Sequence, residues 1–197
     1  AKRLAEVQRP FVEARLQRQG VGLLYMVPWP AAGFYTQVPL SSVEVLRGSR
    51  FRTFSPMTNR FAALVGANPV LVQAAELAQA FATGIANAMV TSAQTGVDTS
   101  AWDYAKVFTP ATFSMTKNAV LVSRRAMEAL PADQRAAVLE TAKRAEERGW
   151  RYAEEAQVAA ERRLAERGLQ IGTVAPEVQA QFDQISRTMA EEWVARA

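Results

Sequence analysis

Between residues 50 and 90, strand-like and helix-like signals alternate, and this alternation limits the chain to an α/β architecture more than any other feature does. Residues 50–54 (RFRTF) interleave charged or polar residues with aromatics, as a half-buried strand does. Ser55-Pro56 follows, a capping residue and a proline suited to the first helical position. An apolar helical stretch then runs through Phe61, Leu64 and Val65 to a stop at Gly66. The pattern repeats, with strands predicted at 50–54, 69–72 and 86–90 and helices at 56–65 and 75–83, the latter stopped by Gly84. Such a β-α-β-α-β run predicts a parallel sheet with right-handed crossovers. Ligands of open parallel sheets sit beyond the carboxyl ends of the strands. Here those ends are residues 52–55, 73–75 and 91–94, all polar or small apart from Phe54.

One of those ends carries a cation. Arg52 directly precedes a helix start, where free N–H groups and a partial positive charge favour anions. Its guanidinium adds a forked, permanently charged donor, so the pair reads as a carboxylate seat; the alternative is an ordinary strand charge facing solvent. Composition removes much else. The 197 residues contain no cysteine and no histidine, which excludes disulfides, thiolate nucleophiles, Cys/His zinc sites and imidazole acid–base chemistry. The acidic residues show no paired-carboxylate or metal spacing, so no catalytic residue, metal ligand or cofactor is assigned. The 23 basic and 19 acidic residues are intermixed, so the net charge of +4 forms no stripe of the kind nucleic acid requires. No segment approaches the ~20 consecutive apolar residues of a membrane span, and the opening AKRLAEVQRP reads as helix and not as an export signal.

Around this centre the remaining chain reads as follows. An opening helix over 1–19, expected to kink or restart at Pro10, ends at Gly20. A short strand at 21–27 is closed by Pro28-Trp29-Pro30, residues 33–38 form a further extended segment, and Ser41-x-x-Glu44 has the spacing of a capping box. Residues 96–117 are mixed, with Trp102, Tyr104 and Phe108 as packing residues. A buried strand is predicted at 118–123, one long helix from Pro131 to Arg167, and a final helix over 176–195. The long helix carries a small or apolar stripe through Val138, Ala142, Ala145, Gly149, Tyr152, Ala156 and Leu164. Its length in a mixed α/β chain suggests an element spanning two domains.

Three segments in order, RGSRFRTFSPMTNRFAALVGANPV (47–70), AAELAQAFATGIANAMVTSAQTG (74–96) and KNAVLVSRRAMEALPADQRAAV (117–138), resemble the extracytoplasmic solute-binding proteins of TRAP transporters, and VPWPAAGFY (27–35) resembles one subgroup of them. The resemblance implies a two-lobed, periplasmic-binding-protein-like α/β fold of type II character, with a long helix spanning both lobes. It places residues 1–30 and 118–155 in lobe one and 31–117 with 156–197 in lobe two, with the N-terminal part of lobe one absent from this chain. It also implies a periplasmic protein that captures a small organic carboxylate and passes it to the membrane components of the transporter. Such a protein works as a monomer, with dimerisation through the long helix as the alternative, and is not an enzyme.

Carried over residue by residue, Arg52 matches the arginine that pairs with the ligand carboxylate. Thr91 falls where many members have a ligand-contacting asparagine, and a second basic pocket residue, which would fall near Ala32, is missing. Trp29, Phe34 and Tyr35 place aromatics near the expected cleft, which points to an aromatic or branched 2-oxo or 2-hydroxy acid. Each has a structural alternative: Trp29 as a hinge residue, Phe34 and Tyr35 as core. Ser55 and Thr95 stand between ligand contact and a local polar role, and Asn118 between the cleft and a turn. Two other functions compete. An α/β enzyme or nucleotide-binding domain acting on a small anionic metabolite is disfavoured because the FSPMT turn has neither G-x-G-x-x-G nor G-x-x-x-x-G-K-[ST]. A helical interaction module on residues 131–168 is disfavoured because its stripe is alanine-rich and lacks sustained heptads of large apolar residues.

Overall fold

The computed structural model describes residues 2–114 and 116–196. They divide into two compact units, 2–30 with 116–156 and 31–114 with 157–196. The second unit is built on a six-stranded mixed sheet of β2 (Ala32–Thr36), β3 (Arg50–Thr53), β4 (Asn68–Leu71), β5 (Ala88–Ser92), β6 (Val107–Pro110) and β8 (Gln170–Ile171). The spatial order is β4-β3-β5-β2-β6-β8. Strand β3 lies parallel between β4 and β5, as the alternation of signals predicts, whereas β2 runs antiparallel to β5 and β6. Every residue of β2 and β5 is buried, the mark of strands covered on both faces.

Alternation along β2 and β3 sorts side chains between two cores. Phe34 and Phe51 enter one, where they meet Phe61 of α2 (Pro56–Leu64) and Phe182 of α7 (Pro176–Val194), and where Phe113 also packs. Phe34 stacks on Phe182 at 5.0 Å between ring centroids, and Phe61 meets Phe113 edge-on at 4.7 Å. Tyr35, Met89 and Phe108 enter the other core with Leu77 and Phe81 of α3 (Leu77–Ala82) and Ala93 of α4 (Ala93–Asp98). Ala160 and Leu164, from the last turns of α6 (Ala132–Glu166), complete that core.

The first unit pairs β1 (Val21–Pro28) antiparallel with β7 (Lys117–Ser123), with a register shift between Leu23 and Tyr25. It also contains α1 (Lys2–Gln17), α5 (Arg124–Glu128) and α6 up to residue 156. Gly149 of α6 lets that helix close onto β1, since a Cβ there would fall 2.2 Å from Cγ1 of Val27. Arg9 of α1 donates to both carboxylate oxygens of Glu146 on α6. Among the described residues of this unit only Ala5, Met26 and Ala142 are buried, so its core is thin.

Several local expectations change. Helix α1 continues through Pro10 without a restart. Ser42, not Ser41, precedes the 3-10 turn Val43–Leu46 and makes no side-chain cap; Glu44 pairs with Arg47 instead. The helix predicted over 75–83 opens as a 3-10 turn at Ala74–Glu76, and the strand predicted at 86–90 lies at Ala88–Ser92. Strands β6 and β8 lack a period of their own in the sequence: β8 is two residues long and exists only by pairing with β6.

Candidate functional site

Arg52 owes its position to strand alternation. With Phe51 committed to one core, Arg52 projects to the opposite face, in register with Met89 of β5 and Val70 of β4. It is 4% exposed. Its Nε donates to the carbonyl of Val72 at 2.8 Å, and its guanidinium carbon lies 4.7 Å from the ring centroid of Phe54. Among the described residues, no carboxylate pairs with Arg52 and none accepts a hydrogen bond from its two terminal nitrogens. A buried guanidinium normally acquires an anionic partner. Burial lowers the Arg52 pKa to about 10, slightly countered by the nearby Tyr104 phenol. Holding the charge there costs about 3 kcal/mol, the free-energy equivalent of that displacement.

Other sequence-derived candidates separate into distinct roles. Thr91 lies two residues beyond Met89 on β5, hence on the face of Arg52 and nearer the carboxyl edge, and it is buried opposite Gly33. Ser55 caps α2: its Oγ accepts from the Thr58 N–H at 3.2 Å, while its own N–H donates to the Thr58 Oγ1 at 3.1 Å. Pro56 has no N–H and the Thr58 N–H is taken by Ser55, which among the described residues leaves the Met57 N–H as the donor of the first helical turn without a capping acceptor. At α4 the cap is Ser92, whose Oγ accepts from the Thr95 N–H at 3.1 Å, so Thr95 stands where Thr58 stands in α2.

Phe34 and Tyr35 take the alternative open to them in the sequence, the core. Both are fully buried, one in each core, because β2 is central in the sheet and covered on both faces. The Tyr35 hydroxyl donates to the Ser92 carbonyl at 3.1 Å. Trp29 and Asn118 belong to the first unit. Trp29 is 42% exposed and donates its backbone N–H to the Thr116 carbonyl, and Asn118 is exposed in β7 opposite Val27.

Tyr104 and Thr99 join the surroundings of Arg52 without having been singled out as site residues by the sequence. Tyr104 packs on the core that contains Val72 and Met89, with its ring 4.6 Å from that of Phe81. Its hydroxyl lies 2.7 Å from the Thr99 Oγ1. Burial raises the Tyr104 pKa, and the Thr99 hydrogen bond and the Arg52 charge each lower it in part. Tyr104 is 52 positions from Arg52 and follows no motif, so only the fold reveals the association. Among the described residues, no cluster of three or more Asp or Glu side chains is arranged to hold a metal ion.

Solved structures with the same architecture are receptors. The chain is 39% identical to DctP7 of Bordetella pertussis, an extracytoplasmic solute receptor that binds pyroglutamic acid, with a TM-score of 0.94 over all of this chain and 65% of that one. It is 37% identical to DctP6 of the same organism, also a receptor binding pyroglutamic acid, with a TM-score of 0.93 over 98% of this chain and 64% of that one. A TRAP solute-binding protein of an unidentified marine microbe, specific for pyroglutamate, is 28% identical, with a TM-score of 0.91 over 99% of this chain and 64% of that one. The chain therefore spans slightly less than two thirds of the length of these relatives. No curated protein matches it. Residues 4–196 match the DctP family throughout, and the chain belongs to the bacterial extracellular solute-binding proteins, family 7.

Proposed function

We propose that this chain is the greater part of a receptor that captures a small organic carboxylate in the periplasm and delivers it to the membrane components of a TRAP transporter. The observation that carries the reading is Arg52, a buried cation with no carboxylate partner among the described residues. A ligand carboxylate bridging its terminal nitrogens supplies the missing charge and two parallel hydrogen bonds. Thr91 lines the same seat, and the capping contacts of Ser55 on α2 and of Ser92 with Thr95 on α4 hold its walls. The two compact units correspond to the lobes of the family, the first assigned to residues 1–30 and 118–155 and the second to 31–117 and 156–197. Asn118 and Trp29 are proposed as ligand contacts on the family resemblance alone. The family is one of binding proteins and not of enzymes, and no step beyond recognition is required.

The first acid to test is pyroglutamate, which the relatives at 39% and 37% identity bind. An aromatic or branched 2-oxo or 2-hydroxy acid is the second reading. With Phe34 and Tyr35 in the cores, Trp29 is the remaining aromatic in its favour. Isothermal titration of the full-length gene product with pyroglutamate tests both residue and ligand. Arg52→Lys keeps the charge and loses the fork, so affinity falls at least about tenfold. Unchanged affinity in that variant overturns the assignment of Arg52.

A further inference from the structure

Resting on the carboxylate-receptor reading, we infer that Phe54 sets the affinity of the seat: its ring is the stand-in partner of Arg52 in the ligand-free receptor, and a bound carboxylate weakens that attraction. Packing gives Phe54 no reason to be aromatic. It is 38% exposed, belongs to neither core, and among the described residues meets no other ring. The ring lies instead against the Arg52 guanidinium, whose carbon stands 4.7 Å from its centroid. Spacing and capping produce this contact. Residues two apart on an extended chain share a face, so Phe54 follows Arg52 toward the carboxyl edge of β3. The Phe54 backbone N–H donates to the Thr58 Oγ1 at 3.0 Å, which ties the root of the ring to the capped start of α2.

A ring suits this task through what it leaves untouched. An aspartate or glutamate beside Arg52 would occupy the terminal N–H groups and cancel the charge, and a ligand carboxylate needs both. An aromatic face attracts a cation through its quadrupole and leaves those hydrogens alone. With Nε committed to the Val72 carbonyl at 2.8 Å, the guanidinium is held at two points, and neither contact uses a terminal nitrogen. The attraction of the ring depends on the charge it faces. A carboxylate on the terminal nitrogens shares that charge, so Phe54 holds a paired guanidinium less strongly than a bare one. The difference is subtracted from the affinity of the ligand. A ring with a weaker quadrupole therefore gives a tighter seat in a less stable ligand-free protein.

The test replaces Phe54 with 4-fluorophenylalanine and 3,4,5-trifluorophenylalanine in the full-length gene product, which drains the ring face of electron density with little change of shape. In the ligand-free protein the trifluoro ring lowers the melting temperature by about 2 °C, with the monofluoro ring in between. In an Arg52→Met background the same replacement costs less than about half of that. Titration calorimetry with pyroglutamate shows affinity rising with fluorination, by about threefold for the trifluoro ring. A merely structural role for Phe54 gives the opposite sign, because a disturbed seat binds more weakly. Equal melting-temperature losses with and without Arg52, or an affinity that stays constant or falls with fluorination, overturn the inference while Arg52→Lys still loses binding. If Arg52→Lys binds pyroglutamate like the wild type, or the wild type does not bind it, the carboxylate reading itself fails and the inference falls with it.

Discussion

At the scale of single residues the molecule turns on an unpaired charge. Burial holds the Arg52 pKa down to about 10, so the penalty for burying its charge is constant across the neutral range and is relieved only as pH climbs above about 10. Removing the charge should therefore stabilise the empty protein. Arg52→Met keeps the reach of the side chain and loses the Nε bond to Val72, for an expected net gain of about 2 kcal/mol in ligand-free unfolding free energy. On the proposed reading, pyroglutamate raises the melting temperature of the wild type and not that of this variant, which thermal denaturation with and without the acid will check. Arg52 could be named from the sequence through its family resemblance, but its burial could not, because a strand charge reads the same whether it faces solvent or the interior. The hydrogen-bonded series from the Tyr104 hydroxyl through the Thr99 hydroxyl to the Thr95 carbonyl has no sequence signature, since it depends on where β6 and α4 come to rest. Phe34 and Tyr35 stayed open between cleft and core for a related reason. Adjacent aromatics on a strand look the same in sequence whether the strand is central or at an edge, and β2 is central.

Secondary-structure elements show where local rules suffice. The succession β3, α2, β4, α3, β5 could be read directly because caps and stops punctuate it: Ser55 and Pro56 open α2, and Gly66 and Gly84 leave the helical turns with φ of +72° each. Strand β8 could not be read, as two residues carry no period. The glycine in the stripe of α6 has a sharper meaning than helical spacing implies. Alanine is about 1 kcal/mol better than glycine within a helix, yet a methyl group at residue 149 would stand 3.1 Å from the Cβ of Val27 as well as 2.2 Å from its Cγ1. The clash outweighs the propensity, and Gly149→Ala should destabilise by about 1–2 kcal/mol in chemical denaturation. Adding Val27→Ala removes the obstructing methyls, so the double variant should lose less than the two single costs added together. Strict additivity would mean that helix and strand do not compete for this space.

Over the whole molecule the two units differ in how firmly they are built. The second has two aromatic-rich cores, whereas the first buries only three of its described side chains fully and leaves Leu4, Val7, Phe11, Leu121 and Leu139 exposed. Alkali should probe the well-packed unit through its buried phenol. Burial raises the Tyr35 pKa well above the ordinary value of 10.0. Above that pH the unfolded chain ionises its tyrosine while the native one does not, so stability present below pH 10 is lost as pH rises, by up to about 1.4 kcal/mol per pH unit. Arg52 contributes the opposite slope in that range, so the informative quantity is the difference between wild type and Tyr35→Phe. That variant should lose about 1 kcal/mol at neutral pH with the bond to Ser92, and should decline less steeply above pH 10. Equal slopes would mean that the phenol ionises within the fold. The unpaired arginine carries a consequence beyond affinity. A receptor that is least stable when empty opens most often when its acid is scarce, and proteases cleave what opens. For the receptor proposed above, lifetime would then follow the supply of its own acid, making the abundance of the protein a slow record of what the environment provides.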